Sequence, residues 1–319
     1  MSELLSKIDA RTKLAGNNKL EILMFTLGIN PRTERRETYG INVFKVREVL
    51  RTPPITRAPE MPETVEGMVS LRGILIPIIG LAKYIGIPLE TLPDITIITE
   101  YNGHTQGFLV ESVDTILRLD WSAMRVPPEM VNTPLGGLVT AVTELPDGRL
   151  VMMLDVERVL AETAQTGEDE SIYRNVQSLG LNNHRVFYAD DSSVARKQIA
   201  RTLDAMGVQG VSAVNGRQAW DELRHMADQA ESSHTPLKDM LHVILTDVEM
   251  PEMDGYMLTR KIKEDKRFAG IPVLMHSSLS GSSNQQLGKA VGVDEYVSKF
   301  EPKRLSSTLA RLLKGTEAP

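Results

Sequence analysis

The chain has 319 residues, of which 41% are hydrophobic, 24% charged and 5% aromatic, so it can form two globular domains with proper cores. Its formal charge of −6 argues against nucleic acid as the main partner, and its lack of cysteine excludes disulfides, thiolate metal sites and cysteine nucleophiles. No apolar run approaches the roughly 18 residues that span a membrane, and the N-terminus has no signal-peptide core, so we expect a cytoplasmic protein without direct membrane insertion.

Residues 1–16 carry apolar side chains at helical spacing, which predicts a short N-terminal helical segment. Residues 17–165 are instead dominated by strand patterns, runs rich in β-branched and aliphatic residues that turn signals separate. The predicted strand runs are 20–28, 39–50, 70–79, 94–100, 105–113 and 149–156. Many short strands with few helical stretches favour a β-barrel or a sandwich, and Pro77 inside the third run predicts an edge position or a bulge there.

The second half of the chain has a different sequence pattern. Residues 166–184 are polar and acidic with little periodicity, which predicts a linker. Across residues 185–316, five short apolar runs alternate with amphipathic helical patterns, which implies an α/β domain with a five-stranded parallel sheet covered by helices on both faces. In such a doubly wound fold the binding crevice lies outside the carboxyl ends of the strands, so the functional site is expected there.

Charged and hydroxyl side chains stand at four of these five strand ends. Asp190 and Asp191 follow the first strand, Asp247 follows the third, Ser277 lies at the end of the fourth, and Lys299 at the end of the fifth. Taken singly, each has an ordinary explanation: Asp190-Asp191 could begin a helix, and Lys299 could be a solvated surface charge. Because parallel strands end on one rim, however, three acids meet there and repel one another unless a cation holds them.

A hard, oxygen-liganded cation fits this arrangement. Mg²⁺ prefers octahedral oxygen ligands and typically takes one or two carboxylates together with phosphate oxygens and water. With Asp191 and Asp247 as ligands, coordination positions remain open for a phosphoryl group. The pattern therefore predicts a site for phosphoryl transfer to a carboxylate.

These residues also carry a resemblance to a known family. The Asp-Asp pair after the first strand, TDVEMPEMDG at the third, the hydroxyl after the fourth and YVSK at the fifth resemble a two-component receiver domain over residues 185–315. The resemblance implies the flavodoxin-like form of the doubly wound fold. It also implies that Asp247 is the phosphoacceptor, which attacks a phosphohistidine on a partner kinase.

The receiver resemblance implies roles for the residues around Asp247. Asp190, Asp191 and the backbone carbonyl of Glu249 would organise Mg²⁺ together with Asp247, and Lys299 would neutralise the phosphoryl oxygens. In-line transfer needs positioning and charge neutralisation more than covalent help, so the physical chemistry agrees with these roles.

A conformational switch is also implied. Ser277 would donate a hydrogen bond to the phosphoryl group, and Tyr296 lies at the position of the aromatic residue that responds to that movement in the family. The alternative for Tyr296 is a partly buried strand residue. The chain departs from the family after Lys299, where Phe300, Glu301 and then Pro302 follow in place of an immediate proline.

The first half of the chain shows no catalytic motif, which favours a binding module. The stretches FTLG, YGINVFKVREVL and EGMVSLRGILIPIIGL resemble the chemotaxis coupling-protein (CheW-like) domain, over most of residues 17–162. The resemblance implies an all-β fold of two small five-stranded barrels. It also implies one surface for the tip of a methyl-accepting chemoreceptor and another for the regulatory domain of the histidine kinase.

By position, the CheW-like resemblance places Val46, Glu48 and Arg72 at these partner contacts. Each has an alternative: Val46 could belong to the core, Glu48 could be an exposed strand residue, and Arg72 could be a structural salt-bridge partner. The chain has Gly80 where the family commonly carries an acid, which weakens the transfer of polar contacts near that strand end.

A coupling domain followed by a receiver is the arrangement of the CheV type of chemotaxis protein. The resemblance implies a non-enzymatic scaffold between receptors and kinase, regulated at Asp247, with a further role as a phosphate sink. The alternative is a Mg²⁺-dependent aspartyl-phosphate phosphatase acting on small phosphoesters, which would want an acid two residues after the nucleophile. Glu249 stands there, although it precedes the MPEMDG loop. A transcription regulator would need a basic output domain, and the first half shows none.

Overall fold

The computed structural model describes residues 19–101, 104–127, 138–163, 183–277, 286, 288–299 and 301–316. These residues form two compact units, one containing residues 20–119 and 123–163 and the other containing residues 183–316. The helix predicted in residues 1–16 and nearly all of the linker predicted in residues 166–184 lie outside the described residues. Within the described ranges, no helix is both long enough and apolar enough to cross a membrane.

The first unit is built mainly from β-strands. Its strands are β1 (Lys19–Thr26), β2 (Ile29–Asn30), β3 (Arg35–Arg36), β4 (Thr38–Asn42), β5 (Val46–Arg51), β6 (Val65–Leu71), β7 (Ile74–Gly80), β8 (Ile95–Tyr101), β9 (His104–Val110), β10 (Ser112–Asp120), β11 (Val139–Glu144) and β12 (Leu150–Leu154). Its helices are α1 (Leu81–Tyr84) and α2 (Val156–Thr163), with a 3₁₀ turn at Val43–Lys45.

The strands of this unit form two five-stranded sheets and one short hairpin. The first sheet has the order β10-β1-β4-β12-β11, the second has the order β5-β8-β9-β7-β6, and β2 pairs with β3. Both sheets contribute to one apolar core, to which Phe25 of β1 and Ile97 of β8 belong. The neighbouring residue Ile98 points into a separate apolar cluster formed by the second sheet. The second sheet therefore buries both of its faces, as the predicted barrel requires, while barrel closure itself stays a prediction.

Three of the predicted strand runs are each two separate strands. Run 39–50 breaks at the 3₁₀ turn, where the Asn42 side chain accepts a hydrogen bond from the Phe44 N–H, so that β4 and β5 enter different sheets. Run 70–79 contains the turn between β6 and β7, in which Arg72 and Gly73 both have positive φ, 53° and 82°. Run 105–113 divides at Glu111, between β9 and β10.

Two further predictions for the first unit differ from the structure. Strand β11 was not among the predicted runs, and the run 149–156 ends at Leu154, after which α2 begins at Val156. Of the two alternatives predicted from Pro77, the edge position is wrong, because β7 lies between β9 and β6. A bulge does occur beside it, since the pairing of β6 with β7 shifts register between Val65 and Gly67, opposite Ile79 and Ile78. The described pairing of β7 with β9 begins only at Ile78, one residue after Pro77. The missing N–H of Pro77 therefore interrupts none of the described pairs between these two strands.

The second unit is a parallel sheet between helices. Its elements are β13 (Arg185–Ala189), α3 (Ser193–Met206), β14 (Gln209–Ala213), α4 (Gly216–Ser232), α5 (Leu237–Met240), β15 (Val243–Thr246), α6 (Gly255–Glu264), β16 (Val273–Ser277), β17 (Glu295–Ser298) and α7 (Pro302–Thr316), with a 3₁₀ turn at Lys266–Phe268. The sheet order is β14-β13-β15-β16-β17, and every neighbouring pair is parallel. This is the flavodoxin-like order, which confirms the predicted fold class.

Strand alternation produces two apolar cores, one on each face of the sheet. Phe187 and Ala189 of β13 enter one core, and Val186 and Tyr188 enter the other. The apolar residues Ala195, Ile199, Leu203 and Met206, which repeat at helical spacing in α3, are all buried, as the predicted amphipathic pattern requires. The apolar face of α7 is formed by the buried Leu305, Leu309 and Leu313, whereas Leu312 is only partly buried.

Candidate functional site

Three carboxylates converge at the carboxyl end of the parallel sheet. Asp190 and Asp191 follow β13, Asp247 follows the adjacent β15, and each of the three has an oxygen within 4.8 Å of an oxygen of the others. Asp190 and Asp247 are buried, whereas Asp191 is partly exposed. The parallel register of β13 and β15 creates this group, because Ala189 lies opposite Thr246 and both strands end at the same level. The predicted convergence is therefore present.

Lys299 belongs to the same group and follows β17, the edge strand of the sheet. Its Nζ lies 2.8 Å from Oδ2 of Asp247 and 2.9 Å from Oδ2 of Asp190, although the residue is only 2% exposed. The end of β17 is held in place because the Lys299 N–H donates to the Ser277 carbonyl at 3.1 Å. An ammonium buried this deeply is stable only when it is paired, so the two acids and Lys299 stabilise one another's charged forms.

The acids at the rim also receive backbone hydrogen bonds. The Ser192 N–H donates to Oδ1 of Asp190 at 2.9 Å, and the Val248 N–H donates to Oδ1 of Asp247 at 2.6 Å. When the three carboxylates are ionised they exceed the single ammonium by two formal charges. Hard oxygen donors with an excess of two negative charges are the donor set that Mg²⁺ prefers, so these residues fit the implied cation.

The loop after Asp247 is shaped by a close backbone approach. A Cβ on Gly255 would lie 1.9 Å from the carbonyl oxygen of Asp247, so only glycine fits there. Asp254 caps α6 by accepting a hydrogen bond from the Met257 N–H at 2.6 Å, and burial raises the pKa of its carboxyl to about 6. Glu249 is buried in the same loop, and the expected role of its backbone carbonyl stays a prediction.

Ser277 and Tyr296 lie on the adjacent strands β16 and β17. Ser277 is fully buried at the end of β16, and Tyr296 is half-buried opposite Met275. Tyr296 packs in a small cluster with the buried Tyr256 and Val248. Burial raises the pKa of Tyr296 to about 12, and a hydrogen bond with Ser277 opposes that rise. The two predicted switch residues are thus in direct contact, while the switch itself stays a prediction.

The coupling residues of the first unit are placed differently from one another. Arg72 donates to the Glu48 carboxylate at 3.0 Å, and its side chain remains 69% exposed. Val46 is 8% exposed and belongs to the core that the two sheets share. The structural alternatives considered for Arg72 and Val46 therefore both hold, and the Arg72 guanidinium also faces solvent. The contact roles of all three residues stay predictions.

A carboxylate stands beside Gly80 although position 80 itself has none. The Glu66 side chain fills the space over Gly80, since a Cβ there would lie 2.8 Å from Oε1 of Glu66. The same oxygen lies 3.7 Å from Nζ of Lys83. An acid contributed by the neighbouring strand β6 therefore supplies negative charge at this strand end.

Sequence reasoning missed Arg196, whose side chain contacts the acid-bearing segment. Its Nη1 donates to the carbonyl oxygen of Asp190 at 2.7 Å and to that of Asp191 at 2.9 Å. The available signal was spacing, because Arg196 follows Asp191 by five residues and lies in the first turn of α3, facing back toward the strand end. The capping role of Asp254 could be read from its place immediately before α6, but its raised pKa depends on burial that sequence alone does not give.

The fold and the rim define a class of two-domain signalling protein, in which an all-β coupling domain precedes a receiver. The family model described as the CheW-like domain matches residues 22–164, and the one described as the response regulator receiver domain matches residues 186–310. Neither matched family is a phosphatase family, so the phosphatase alternative gains no support.

Relatives with the same domain arrangement match nearly the whole chain. The chain is 30% identical over 305 residues to chemotaxis protein CheV3 of Helicobacter pylori, covering 93% of this chain and 95% of that protein. It is 28% identical over 334 residues to CheV1 of the same organism, covering 98% and 99%. Chemotaxis protein CheW of Klebsiella aerogenes is 30% identical over 154 residues, which are 47% of this chain and 87% of that protein. The chain belongs to the CheV family of chemotaxis proteins, which confirms the resemblance.

Proposed function

We propose that this protein is a scaffold that joins methyl-accepting chemoreceptors to the chemotaxis histidine kinase, and that phosphorylation of Asp247 adjusts this coupling. Residues 17–165 would form the coupling domain and residues 185–316 the receiver, with a linker at 166–184 and a helical segment at 1–16. The observation that carries the proposal is the buried contact of Lys299 with Asp190 and Asp247, in a chain that also has a CheW-like domain. Its place would be the cytoplasm, at membrane-bound receptor arrays.

Asp247 is the group best placed to accept a phosphoryl group. One of its oxygens would attack the phosphorus of the kinase phosphohistidine, so that an O–P bond forms while the N–P bond breaks and its electron pair returns to the imidazole. Lys299 contacts Oδ2 of Asp247 and would neutralise the phosphoryl oxygens of the product. Asp190, Asp191, Asp247 and the Glu249 carbonyl would hold Mg²⁺, which when bound supplies further neutralisation of the transferring group.

Ser277 and Tyr296 would convert this event into a conformational change. A phosphorylated aspartate adds about one and a half to two negative charges at the rim, on the scale of other phosphorylated side chains. The Ser277 hydroxyl, which now contacts Tyr296, would turn toward that charge and release the tyrosine. This competition for one hydroxyl would link the acid site to the half-buried aromatic side chain of Tyr296 on β17.

The coupling domain would bind partner proteins and would catalyse no reaction. Arg72, with Glu48 beside it, presents an exposed guanidinium at the turn between β6 and β7, where a receptor or kinase surface could be recognised. Val46, which is buried in the core, would contribute to partner binding only by supporting the fold of this domain. The receiver could in addition draw phosphoryl groups away from other regulators, which makes the protein a phosphate sink without making it an enzyme.

Transfer from radiolabelled, phosphorylated kinase tests the proposal directly. With Mg²⁺ present, the wild type is expected to acquire label and Asp247→Asn is expected to acquire none, because the amide cannot act as the nucleophile. An unlabelled wild type, or equal labelling of the variant, would refute the receiver half of the proposal. Capture of receptor tip and kinase by the full chain tests the coupling half, which fails if neither partner is retained.

A further inference from the structure

Arg196 makes a paired contact that the roles assigned so far do not explain. One guanidinium nitrogen, Nη1, bonds the carbonyl oxygens of two consecutive residues, Asp190 at 2.7 Å and Asp191 at 2.9 Å. These are the two acids that follow β13 and enter the carboxylate group of the rim. The contact is with their main-chain carbonyls and not with their carboxylates, which belong to the group at the rim.

The main chain of this segment also makes hydrogen bonds at Asp190 and Ser192. The Asp190 N–H donates to the Ala213 carbonyl on β14 at 3.2 Å, and the Ser192 N–H donates to the Asp190 side chain at 2.9 Å. The two carbonyls face the other way, toward α3. By fixing both of them, Arg196 fixes the peptide planes on either side of Asp191 and hence the direction in which the Asp191 side chain leaves the backbone.

Asp191 is the acid that most needs such support. Asp190 and Asp247 are buried and bonded to Lys299, whereas Asp191 is partly exposed. Like charges repel, so the position of the partly exposed Asp191 carboxylate beside two other acids depends on how its backbone is held. The Arg196 contact fixes that backbone before any cation arrives.

We propose that Arg196 is a positioning residue for divalent-cation binding, acting through the Asp190 and Asp191 carbonyls. The inference rests on the proposed function, because it concerns the same Mg²⁺ site. Mutating a residue that hydrogen-bonds to metal ligands and orients them typically lowers metal affinity by about 10-fold to 100-fold. We therefore expect Arg196→Met to weaken Mg²⁺ binding by about 10-fold or more.

The sign of the effect separates positioning from simple electrostatics. A guanidinium near a cation site repels the cation, so if Arg196 acted only through its charge, its removal would tighten Mg²⁺ binding. If it acts by orienting the backbone, removal loosens binding in spite of the lost repulsion. Arg196→Lys keeps the charge and can still donate to carbonyls, so it is expected to fall between the wild type and Arg196→Met.

Calorimetric titration of the full-length protein with MgCl₂ tests the proposal, with thermal unfolding in EDTA as the check that each variant is folded. Lys197→Met is the matched control, because Lys197 is the exposed neighbour on α3 and its substitution removes the same charge. It is expected to bind Mg²⁺ like the wild type. Should Arg196→Met not fold, Arg196→Ala, which likewise has no side-chain donor, takes its place under the same criterion.

The outcomes distinguish this inference from the function on which it rests. A wild type that binds no Mg²⁺ would remove the proposed function itself. With a binding wild type, the inference is overturned if Arg196→Met binds within about twofold of it, if the variant binds more tightly, or if Lys197→Met is weakened equally. An Arg196→Lys variant as weak as Arg196→Met would also overturn it, because donated hydrogen bonds would then not be the cause.

Discussion

At the residue scale, the receiver site depends on a few buried charges whose pairing could be foreseen only in part. The identity of Asp190, Asp247 and Lys299 as rim residues followed from their position at strand ends, and the structure brings them within hydrogen-bonding distance. Arg196 was not foreseen, because a guanidinium that bonds carbonyls leaves no charge-pairing pattern in the sequence. Contacts between side chains and the backbone are therefore the part of the site that is hardest to predict from sequence.

Removing the buried ammonium gives the clearest stability prediction at this scale. Lys299→Met leaves Asp190 and Asp247 buried without their shared cation, which should lower the free energy of unfolding of the receiver by about 3–5 kcal/mol in EDTA. Urea unfolding, followed by Trp220 fluorescence in a Trp121→Phe background, measures this. Lys303→Met removes an exposed lysine instead and should change little. A loss no larger than that of the control would show that the pairing is unimportant to the fold.

The buried cap Asp254 leads to a prediction about pH. Burial raises its pKa in the folded protein to about 6 from an ordinary value of 3.8, so folding favours the protonated form. The wild type should therefore lose stability, relative to Asp254→Asn, as pH rises from about 4 through 6, by on the order of 3 kcal/mol, and the difference should level off above that. The asparagine keeps an acceptor for the Met257 N–H. Unfolding curves of both proteins from pH 4 to 8 check this, and a constant difference would contradict it.

At the element scale, the two halves were predictable to different degrees for a physical reason. Parallel strands buried on both faces appear as continuous apolar runs bounded by helices, and the five strands that such runs predicted within residues 185–316 are all present. Antiparallel strands in the coupling domain follow one another through tight turns, and some of those turns carry no glycine or proline signal at the critical residue. The turn after β6 places Arg72 at a positive φ, so the run 70–79 looked like one strand.

The same turn allows the structural and the binding roles of Arg72 to be separated. Arg72→Asn should lower the stability of the coupling domain by only about 1 kcal/mol, because asparagine tolerates positive φ and the guanidinium in the ion pair with the largely buried Glu48 is itself exposed to solvent. Retention of receptor tip and kinase in pull-down should nevertheless fall, since the exposed guanidinium is lost. Arg51→Asn, which removes the exposed partner of Asp94 on β5, is the matched control. Unchanged retention in Arg72→Asn would exclude this turn as the contact.

At the scale of the whole molecule, the chain combines a coupling domain without a catalytic motif and a receiver with three acids and a lysine gathered at the end of its sheet. The domain order of coupling domain followed by receiver could be read from the sequence, and full-length CheV relatives share it. Regulation must pass between the halves if phosphorylation of Asp247 is to alter what the coupling domain binds.

The most direct test is the amount of full-length protein retained by immobilised receptor-tip and kinase complexes, measured with and without phosphoryl donor in the presence of Mg²⁺. The account predicts that the donor changes retention of the wild type and leaves Asp247→Asn unchanged. Retention that responds to the donor equally in both proteins, or in neither although the wild type is labelled, would contradict it.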